Sequence, residues 1–233
     1  MVIAGVVVFV VMAAGAAWWL GRDTAPPPMS VDDVAASAGG PSSGGTTSLD
    51  GTWTVDPASE SQAGLRIVED RFGGLRDNTA VGRTPAVTGS LTVDGTTVAA
   101  GSFTADLSKI EFSDDPGLPV ASRSTYLRTK SLETDRFPDA TFELTEPVRL
   151  ASLPADGQTV TLAVRGDLTI HGVTRPVLFR VAAKPSGSTV ALATAKPVPV
   201  KLADHDIDVP ELRNVSKVRG TGEFEFLVVL RRA

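Results

Sequence analysis

The 233-residue sequence predicts an all-β domain, an antiparallel barrel with one short helix. Apolar and polar residues alternate over 160–170 and again over 177–181, on either side of the turn His171-Gly172. This is the pattern of a β-hairpin with one dry face. Asp94-Gly95, between two further alternating runs, indicates a second hairpin. The strands predicted over Thr97–Ile110 and Thr159–His171, each roughly 43 Å long, favour a barrel over a sandwich.

The N-terminus predicts a membrane anchor over residues 1–20. No charged residue precedes Arg22, and twenty helical residues span about 30 Å, the thickness of a bilayer core. Trp18 and Trp19 stand at its end, where indole rings favour the membrane interface. The alternative is a signal peptide cleaved in the small-residue run 13–17. With the anchor, the protein is a single-pass protein of the cell membrane with an extracytoplasmic domain.

Residues 21–49 predict a disordered linker. Pro26-Pro27-Pro28 favours an extended conformation, and the Gly/Ser/Thr-rich run that follows favours a flexible coil. Such a composition buries little apolar surface, so we expect this segment to hold the domain away from the bilayer. The barrel domain is expected over residues 50–233.

Short alternating runs set the predicted strands of that domain, and one stretch interrupts them. Leu118–Leu132 has near-helical spacing after Pro119, which suits a first helical turn. This helix lies in a long connection, where it can cap an open barrel end. The predicted strands are Thr52–Asp56, Ala63–Glu69, Ala86–Val93, Thr97–Ile110, Ala140–Leu150, Thr159–His171, Arg175–Lys184, Thr189–Leu202 and Gly222–Arg231.

Composition excludes several functional classes. Residues 21–50 carry one Arg and four Asp, a net charge of −3, which leaves −2 of the total −5 for residues 51–233. A nearly neutral domain has no electrostatic footprint for nucleic acid. The absence of Cys excludes disulfides, thiolate metal sites, cysteine nucleophiles and a lipoprotein anchor. No catalytic motif for nucleotides, serine hydrolysis or zinc appears, so we expect no enzyme and no resident cofactor.

The two histidines are the residues most open to a chemical role. His171 is interpreted as an exposed turn residue that tolerates unusual backbone angles. His205 lies in the acidic run Asp204–Asp208, which we interpret as a solvated loop; a cation site there is the alternative.

Four segments resemble the YceI-like, lipid/polyisoprenoid-binding family. They are Trp53–Pro57, Leu132–Phe142, the hairpin Gly166–Val177, and Ala203–Pro210 with the strand Gly222–Arg231. Together they span essentially residues 50–232. Residues 64–86 do not match the family's early Gly-x-Phe region, for which Arg71–Leu75 stands in as a loop. In the fourth segment, the family's usual Arg ahead of an Asp-aromatic-Gly-Ile run is missing, and Asp206-Ile207-Asp208 stands in that place.

The resemblance implies a lipocalin-like barrel whose apolar tunnel holds a long isoprenoid or similar chain, usually outside the cytoplasm. Alternation places apolar side chains on inward faces, where they line either a lumen or a solid core. Small inward residues, expected at Ala105, Ala163 and Ala191, would leave volume for a ligand. The candidate lumen residues are Phe103, Leu107, Tyr126, Phe137, Phe142, Leu168, Ile170, Phe179, Phe224 and Phe226.

The sequence therefore predicts non-covalent binding of an isoprenoid or other long-chain lipid, for lipid or quinone carriage or a stress response. Tyr126 and Arg128, on the predicted helix, are expected to reach the lipid headgroup. The alternatives are a solid β-domain that acts as an envelope protein–protein interaction module, and a metal- or acid-dependent enzyme that uses Asp204–Asp208.

Overall fold

The computed structural model describes residues 25–34, 48–71, 76–112, 124–208 and 216–233. Within these ranges the chain forms a 13-stranded antiparallel sheet. The first strands are β1 (Gly51–Val55), β2 (Gln62–Arg71), β3 (Arg76–Thr84), β4 (Val87–Asp94), β5 (Thr97–Asp106) and β6 (Glu111–Phe112). The others are β7 (Asp139–Leu144), β8 (Val148–Arg149), β9 (Val160–Ile170), β10 (Val173–Ser186), β11 (Thr189–Thr194), β12 (Val198–Lys201) and β13 (Ser216–Arg232).

Eight of these strands close into a barrel in the order β1-β4-β5-β7-β9-β10-β11-β13. The ring closes where β1 pairs with both β4 and the end of β13, with Val55 opposite Leu230. The prediction of an all-β antiparallel barrel with one short helix is confirmed. So is the hairpin that carries the family resemblance, since Val173 lies opposite Ile170 in an antiparallel β9–β10 pair.

Two strands, β3 and the two-residue β6, were not predicted. The sheet continues from β13 into β2, β3 and β6, and β3 spans Arg76–Thr84, where the sequence predicted none. Ala80 and Val81 are its buried apolar residues. Polar residues surround that pair, so the strand lacks the apolar alternation by which the others were found.

Three predicted strands are shorter than expected. The strand predicted over Thr97–Ile110 ends at Asp106, whose side chain accepts the Ser108 backbone N–H and starts a 3₁₀ turn, Leu107–Lys109. The chain leaves the sheet between β7 and β8 at Pro147, and between β11 and β12 at Pro197. Proline has no N–H for a ladder hydrogen bond, which explains both interruptions.

A short helix covers one end of the barrel. It is described over residues 124–131, and its last turn, Leu127–Ser131, is a π-helix. The start of the helix predicted over 118–132 lies outside the described residues. Leu127 and Leu132 pack with Ile110 in one buried cluster. Arg128 Nη1 donates to the Ile110 carbonyl at 2.8 Å, which ties the helix to the chain after β5. We call this segment the capping helix.

Residues 25–34 pack against the outer face of the barrel. Met29 and Val31 are buried against Ala191, Ala193 and Leu227. The prediction of a disordered spacer therefore does not hold for residues 25–34, which we call the strap; residues 35–47 lie outside the described part. The predicted span over residues 1–20 lies outside it too. Within the described ranges, no helix is long and apolar enough to cross a membrane.

Candidate functional site: an apolar lumen

The inward faces of the strands enclose an unfilled cavity of about 200 Å³. Its wall is built by the alternation seen in the sequence, because every second residue of a barrel strand faces inward. On β9, Leu162, Val164 and Leu168 line the cavity, while Ala163 between them is exposed. The sequence left a lumen and a solid core as alternatives, and the structure has a lumen.

Eight of the ten candidate residues line this lumen, and their contact with a ligand stays a prediction. They are Phe103, Leu107, Phe142, Leu168, Ile170, Phe179, Phe224 and Phe226. Phe137 packs instead edge-on against His171, with ring centroids 4.4 Å apart. Tyr126 is 39% exposed on the capping helix. Both side chains lie outside the lumen because the loop and helix that carry them have no strand alternation to direct them inward.

Four phenylalanines form the centre of the lumen wall. The Phe179 ring lies edge-to-face on Phe142 at 5.3 Å, on Phe224 at 5.2 Å and on Phe226 at 6.2 Å between centroids. Aromatic pairs prefer this arrangement, which adds about 0.5–1.5 kcal/mol per pair beyond burial. The three contacts hold Phe179 rigidly, so this part of the wall is fixed in shape.

Two glycines shape the space beside these rings. A Cβ on Gly166 would lie 2.4 Å from the Phe142 ring, so only glycine lets that ring cross β9. Gly101 also lines the lumen, and a Cβ there would meet Leu91, Leu144 and Phe103 at ordinary distances of 3.7–3.8 Å. A side chain at Gly101 would therefore extend into the cavity.

The lumen wall is almost free of polar groups. Among its described lining residues only Thr104, Thr141 and Glu225 are polar. The Glu225 carboxylate is committed to the outer side of β13, where it lies 2.8 Å from Arg83 and 3.6 Å from Arg66. The described wall thus offers hydrocarbon contact and no charged partner for a headgroup.

The small residues expected to face inward divide between the two sides of the wall. Ala105 lines the lumen as expected. Ala163 is exposed on the outer face of β9, and Ala191 is buried on the outer face of β11 beneath the strap. The inward expectation was wrong for both, because each lies one residue out of register with a lumen residue, Leu162 or Leu192.

The barrel has two distinct ends. The capped end carries the capping helix, the β9–β10 turn at His171-Gly172 and a 3₁₀ turn, Leu202–His205. Leu107, Ile110 and Leu132 line the lumen near it. The hairpin end carries the β4–β5 and β10–β11 turns. The lumen residues near the hairpin end, which the candidate set did not include, are Leu91, Val98, Leu144 and Val148.

At the capped end His205 is buried and His171 is largely covered, which corrects the expectation of solvated residues. His171 has the predicted turn backbone, with φ of +52°, but its side chain is only 11% exposed. Its Nδ1 lies 3.2 Å from the His205 carbonyl, and His205 Nδ1 lies 3.0 Å from the Val173 carbonyl. These contacts join the β9–β10 turn to the Leu202–His205 turn. His205 was missed because its burial comes from tertiary contacts that its acidic neighbours do not indicate.

The acidic run Asp204–Asp208, for which a metal site was the alternative, lies in the described part of the chain. Within the described residues, no cluster of three His, Cys, Asp or Glu side chains is placed to hold a metal ion. Arg128 was expected to reach a headgroup, but its guanidinium donates a hydrogen bond to the Ile110 carbonyl. Its role toward a lipid stays a prediction, as does that of Tyr126.

The comparisons with known proteins agree with this architecture. A family model described as the YceI-like domain matches residues 53–230. The chain belongs to the YceI-like family. No curated protein matches its sequence.

Two solved structures share the fold of this YceI-like chain. One is a polyisoprenoid binding domain from Saccharophagus degradans implicated in plant cell wall breakdown, with 16% identity and a TM-score of 0.59. The match covers 78% of this chain and 98% of that one. The other is BcnA from Burkholderia cenocepacia, with 18% identity, a TM-score of 0.54, and coverage of 75% and 98%.

Proposed function

We propose that this protein is a membrane-tethered, extracytoplasmic carrier that holds the hydrocarbon chain of an isoprenoid or other long-chain lipid in its lumen. The observation that carries the proposal is the unfilled apolar cavity of about 200 Å³. Protein interiors are normally packed as densely as organic crystals, and cavity volume lowers the free energy of unfolding. A cavity of this size is therefore explained if a ligand occupies it. An apolar cavity stays dry and accepts apolar molecules.

The family and the tether support the same proposal. The Saccharophagus degradans domain, a polyisoprenoid binding domain, has the same fold. The apolar segment over residues 2–20 would place the barrel beside a bilayer, which is where a long-chain lipid is found. The family resemblance and the absence of a catalytic motif from the sequence support a binding role without catalysis.

The chemistry of the wall predicts how ligands are selected. Each CH₂ group that leaves water for the lumen contributes about 0.8 kcal/mol, whereas a chain that leaves a bilayer gains far less because it was already in hydrocarbon. Without a charged group in the described wall, the lumen distinguishes ligands by chain length and shape. The headgroup stays outside, so the protein exchanges chains with other apolar sites at little cost but keeps them when the alternative is water.

Lipid extraction from the purified full chain tests this function. Organic extraction and mass spectrometry should release a long-chain lipid in near-stoichiometric amount. Gly101→Val places a β-branched side chain, which strands accept, into the lumen and should reduce lipid occupancy at least tenfold. Ala163→Val, on the exposed face of β9, is the matched control and should keep full occupancy.

Two results would contradict lipid binding. A lipid-free extract from protein that also fails to take up an added isoprenoid quinone would favour the envelope interaction module. Equal occupancy in Gly101→Val and Ala163→Val, with unchanged thermal stability, would place the lipid outside the lumen.

A further inference from the structure

We infer that the strap turns the capped end of the barrel toward the bilayer, so that lipid enters and leaves beside the capping helix. The inference rests on the membrane tether of the proposed function and adds the orientation of the barrel and the end that exchanges lipid. Its basis is the path of residues 25–34 along the outer wall, a path that the composition of the segment did not predict.

The first half of the strap is fixed by polar contacts to charged side chains of the barrel wall. Arg66 Nη1 donates to the Pro26 carbonyl at 2.8 Å, and Arg83 Nη2 donates to the Pro27 carbonyl at 2.7 Å. The Met29 backbone N–H donates to Glu225 Oε2 at 3.2 Å. The Glu225 side chain is fully buried and also pairs with Arg83. Hydrogen bonds to charged groups are stronger than those between neutral groups, and three of them hold this half of the strap.

The second half of the strap is fixed by apolar packing. Met29 is 6% exposed and Val31 is 3% exposed, and both pack on an apolar outer patch formed by Ala191, Ala193 and Leu227. Beyond them Lys184 Nζ lies 2.9 Å from Asp32 Oδ1. Asp32 is largely exposed, so this last ion pair adds little to the attachment.

These contacts give the strap a direction along the barrel. Arg66, which holds Pro26, lies opposite Glu223 on β13. Lys184, which meets Asp32, lies opposite Ala191, and Ala191 lies opposite Val229. From residue 223 to residue 229 of β13 is about 20 Å.

Residue 223 belongs to the capped part of β13. Its neighbour Gly222 approaches Leu202, which belongs to the buried cluster below the capping helix. The strap therefore runs along the outer wall in the direction from the capped end toward the hairpin end, with Pro26 on the capped side and Asp32 nearer the hairpin end.

The chain between the anchor and the strap is short. Only residues 21–24 separate the apolar segment from residue 25. Five peptide units reach at most about 18 Å when fully extended. The hairpin end lies about 20 Å farther along the wall, so a membrane anchor brings the capped end to the bilayer first.

The surface of the capped end is compatible with a position beside the bilayer. Tyr126 is exposed on the capping helix, and tyrosine rings favour the membrane–water boundary. Exposed charges of both signs lie on the described segments of this end, and they nearly balance. They include Lys109, Lys130, Arg136, Arg175 and Lys201, against Glu111, Glu133, Asp135, Asp204, Asp206 and Asp208. Such a surface has no strong attraction for anionic lipid, so the contact depends on the strap and needs no negative headgroups.

Fluorescence quenching in vesicles tests the orientation. Because the chain has no Cys, Thr125→Cys on the capping helix and Ser188→Cys in the β10–β11 turn each give one labelling site. The full chain is reconstituted in phosphatidylcholine vesicles that carry a nitroxide on the headgroup. A fluorophore at residue 125 should be quenched at least twice as strongly as one at residue 188.

A variant of the strap tests whether its contacts with the barrel cause the difference in quenching between the two labels. Met29→Asp places a carboxylate on the apolar outer patch beside Glu225 and should remove most of the difference between the two labels. Pro28→Asp, at the exposed neighbouring position, is the matched control and should keep it. Lipid extraction from the same preparations reports separately on lumen binding.

The outcomes separate the two proposals. Equal quenching at both labels, or stronger quenching at residue 188, in a chain that floats with the vesicles overturns the orientation and leaves lipid binding intact. An unchanged difference in Met29→Asp also overturns the role of the strap. A chain that does not float overturns the tether and this inference with it.

Discussion

The two faces of β11 and β13 bury apolar surface in different ways. On the inner face Leu192, Phe226 and Val228 border an unfilled lumen with almost no polar group. On the outer face Ala191, Ala193 and Leu227 are covered by the strap, whose backbone hydrogen-bonds to the charged side chains of Glu225, Arg66 and Arg83. The difference shows how a covalently linked segment, the strap, is held differently from a ligand that would be exchanged. The fixed strap is held by polar anchors, while the proposed hydrocarbon ligand, which would have to come and go, would meet an almost entirely apolar wall.

The largest effect is expected on the inner face. Phe179→Ala removes the ring that contacts three other phenylalanines and should lower the free energy of unfolding of lipid-free protein by about 3 kcal/mol. The neighbouring Leu178 is 59% exposed, so Leu178→Ala should change it by less than about 0.5 kcal/mol. Urea denaturation measures both. Similar losses in the two variants would mean that the phenylalanine cluster does not support the wall.

A smaller effect is expected where the outer face holds the strap. Glu225→Gln removes the buried charge that Arg83 and Arg66 share and should cost about 2 kcal/mol. The cost stays moderate because both arginines are partly exposed and water can hydrate them. Glu223→Gln, exposed on the same strand, is the control.

Hydrogen exchange at the Met29 amide would sharpen this comparison. It should accelerate in Glu225→Gln, because that amide donates to the carboxylate, and stay slow in Glu223→Gln. Unchanged protection in Glu225→Gln would show that apolar packing alone holds the strap.

The smallest effect is expected at an exposed polar anchor beyond the strap. The Ser48 hydroxyl, the Gly95 amide and the Arg232 guanidinium hold the pKa of Asp50 below its ordinary value of 3.8. A depressed pKa stabilises the fold above the unfolded value, and that contribution is lost as the pH falls through the folded value. Asp50→Asn should lower the Tm at pH 7 by less than about 2 °C, with the difference vanishing near pH 2. A difference that grows toward low pH would contradict this sign.

The sequence could predict most of the barrel and its lumen because both follow from strand alternation. Inward positions recur at every second residue, so Phe142, Leu168 and Phe179 could be placed on one wall from their spacing alone. The positions that failed lie where alternation does not apply. Tyr126 is on a helix and Phe137 is in a loop, and nothing in the sequence directs either side chain toward the lumen.

The strap could not be predicted because its partners are remote and partly backbone. Met29 meets Glu225 across 196 residues of sequence, and the groups that Arg66 and Arg83 recognise are the carbonyls of prolines. Proline-rich composition indicates an extended chain, but it says nothing about what lies beside that chain, nor about the turn over residues 30–33. The burial of His205 was missed for the same reason.

The position of β13 after the other twelve strands sets the order in which the barrel can be completed. This strand pairs with β1, β2, β11 and β12 and also carries the Glu225 carboxylate that receives the strap. A ribosome makes it after all of those partners, so neither ring closure nor strap docking precedes the synthesis of β13. Contacts of such long sequence separation form slowly, so the closing of the ring and the docking of the strap are late steps of folding.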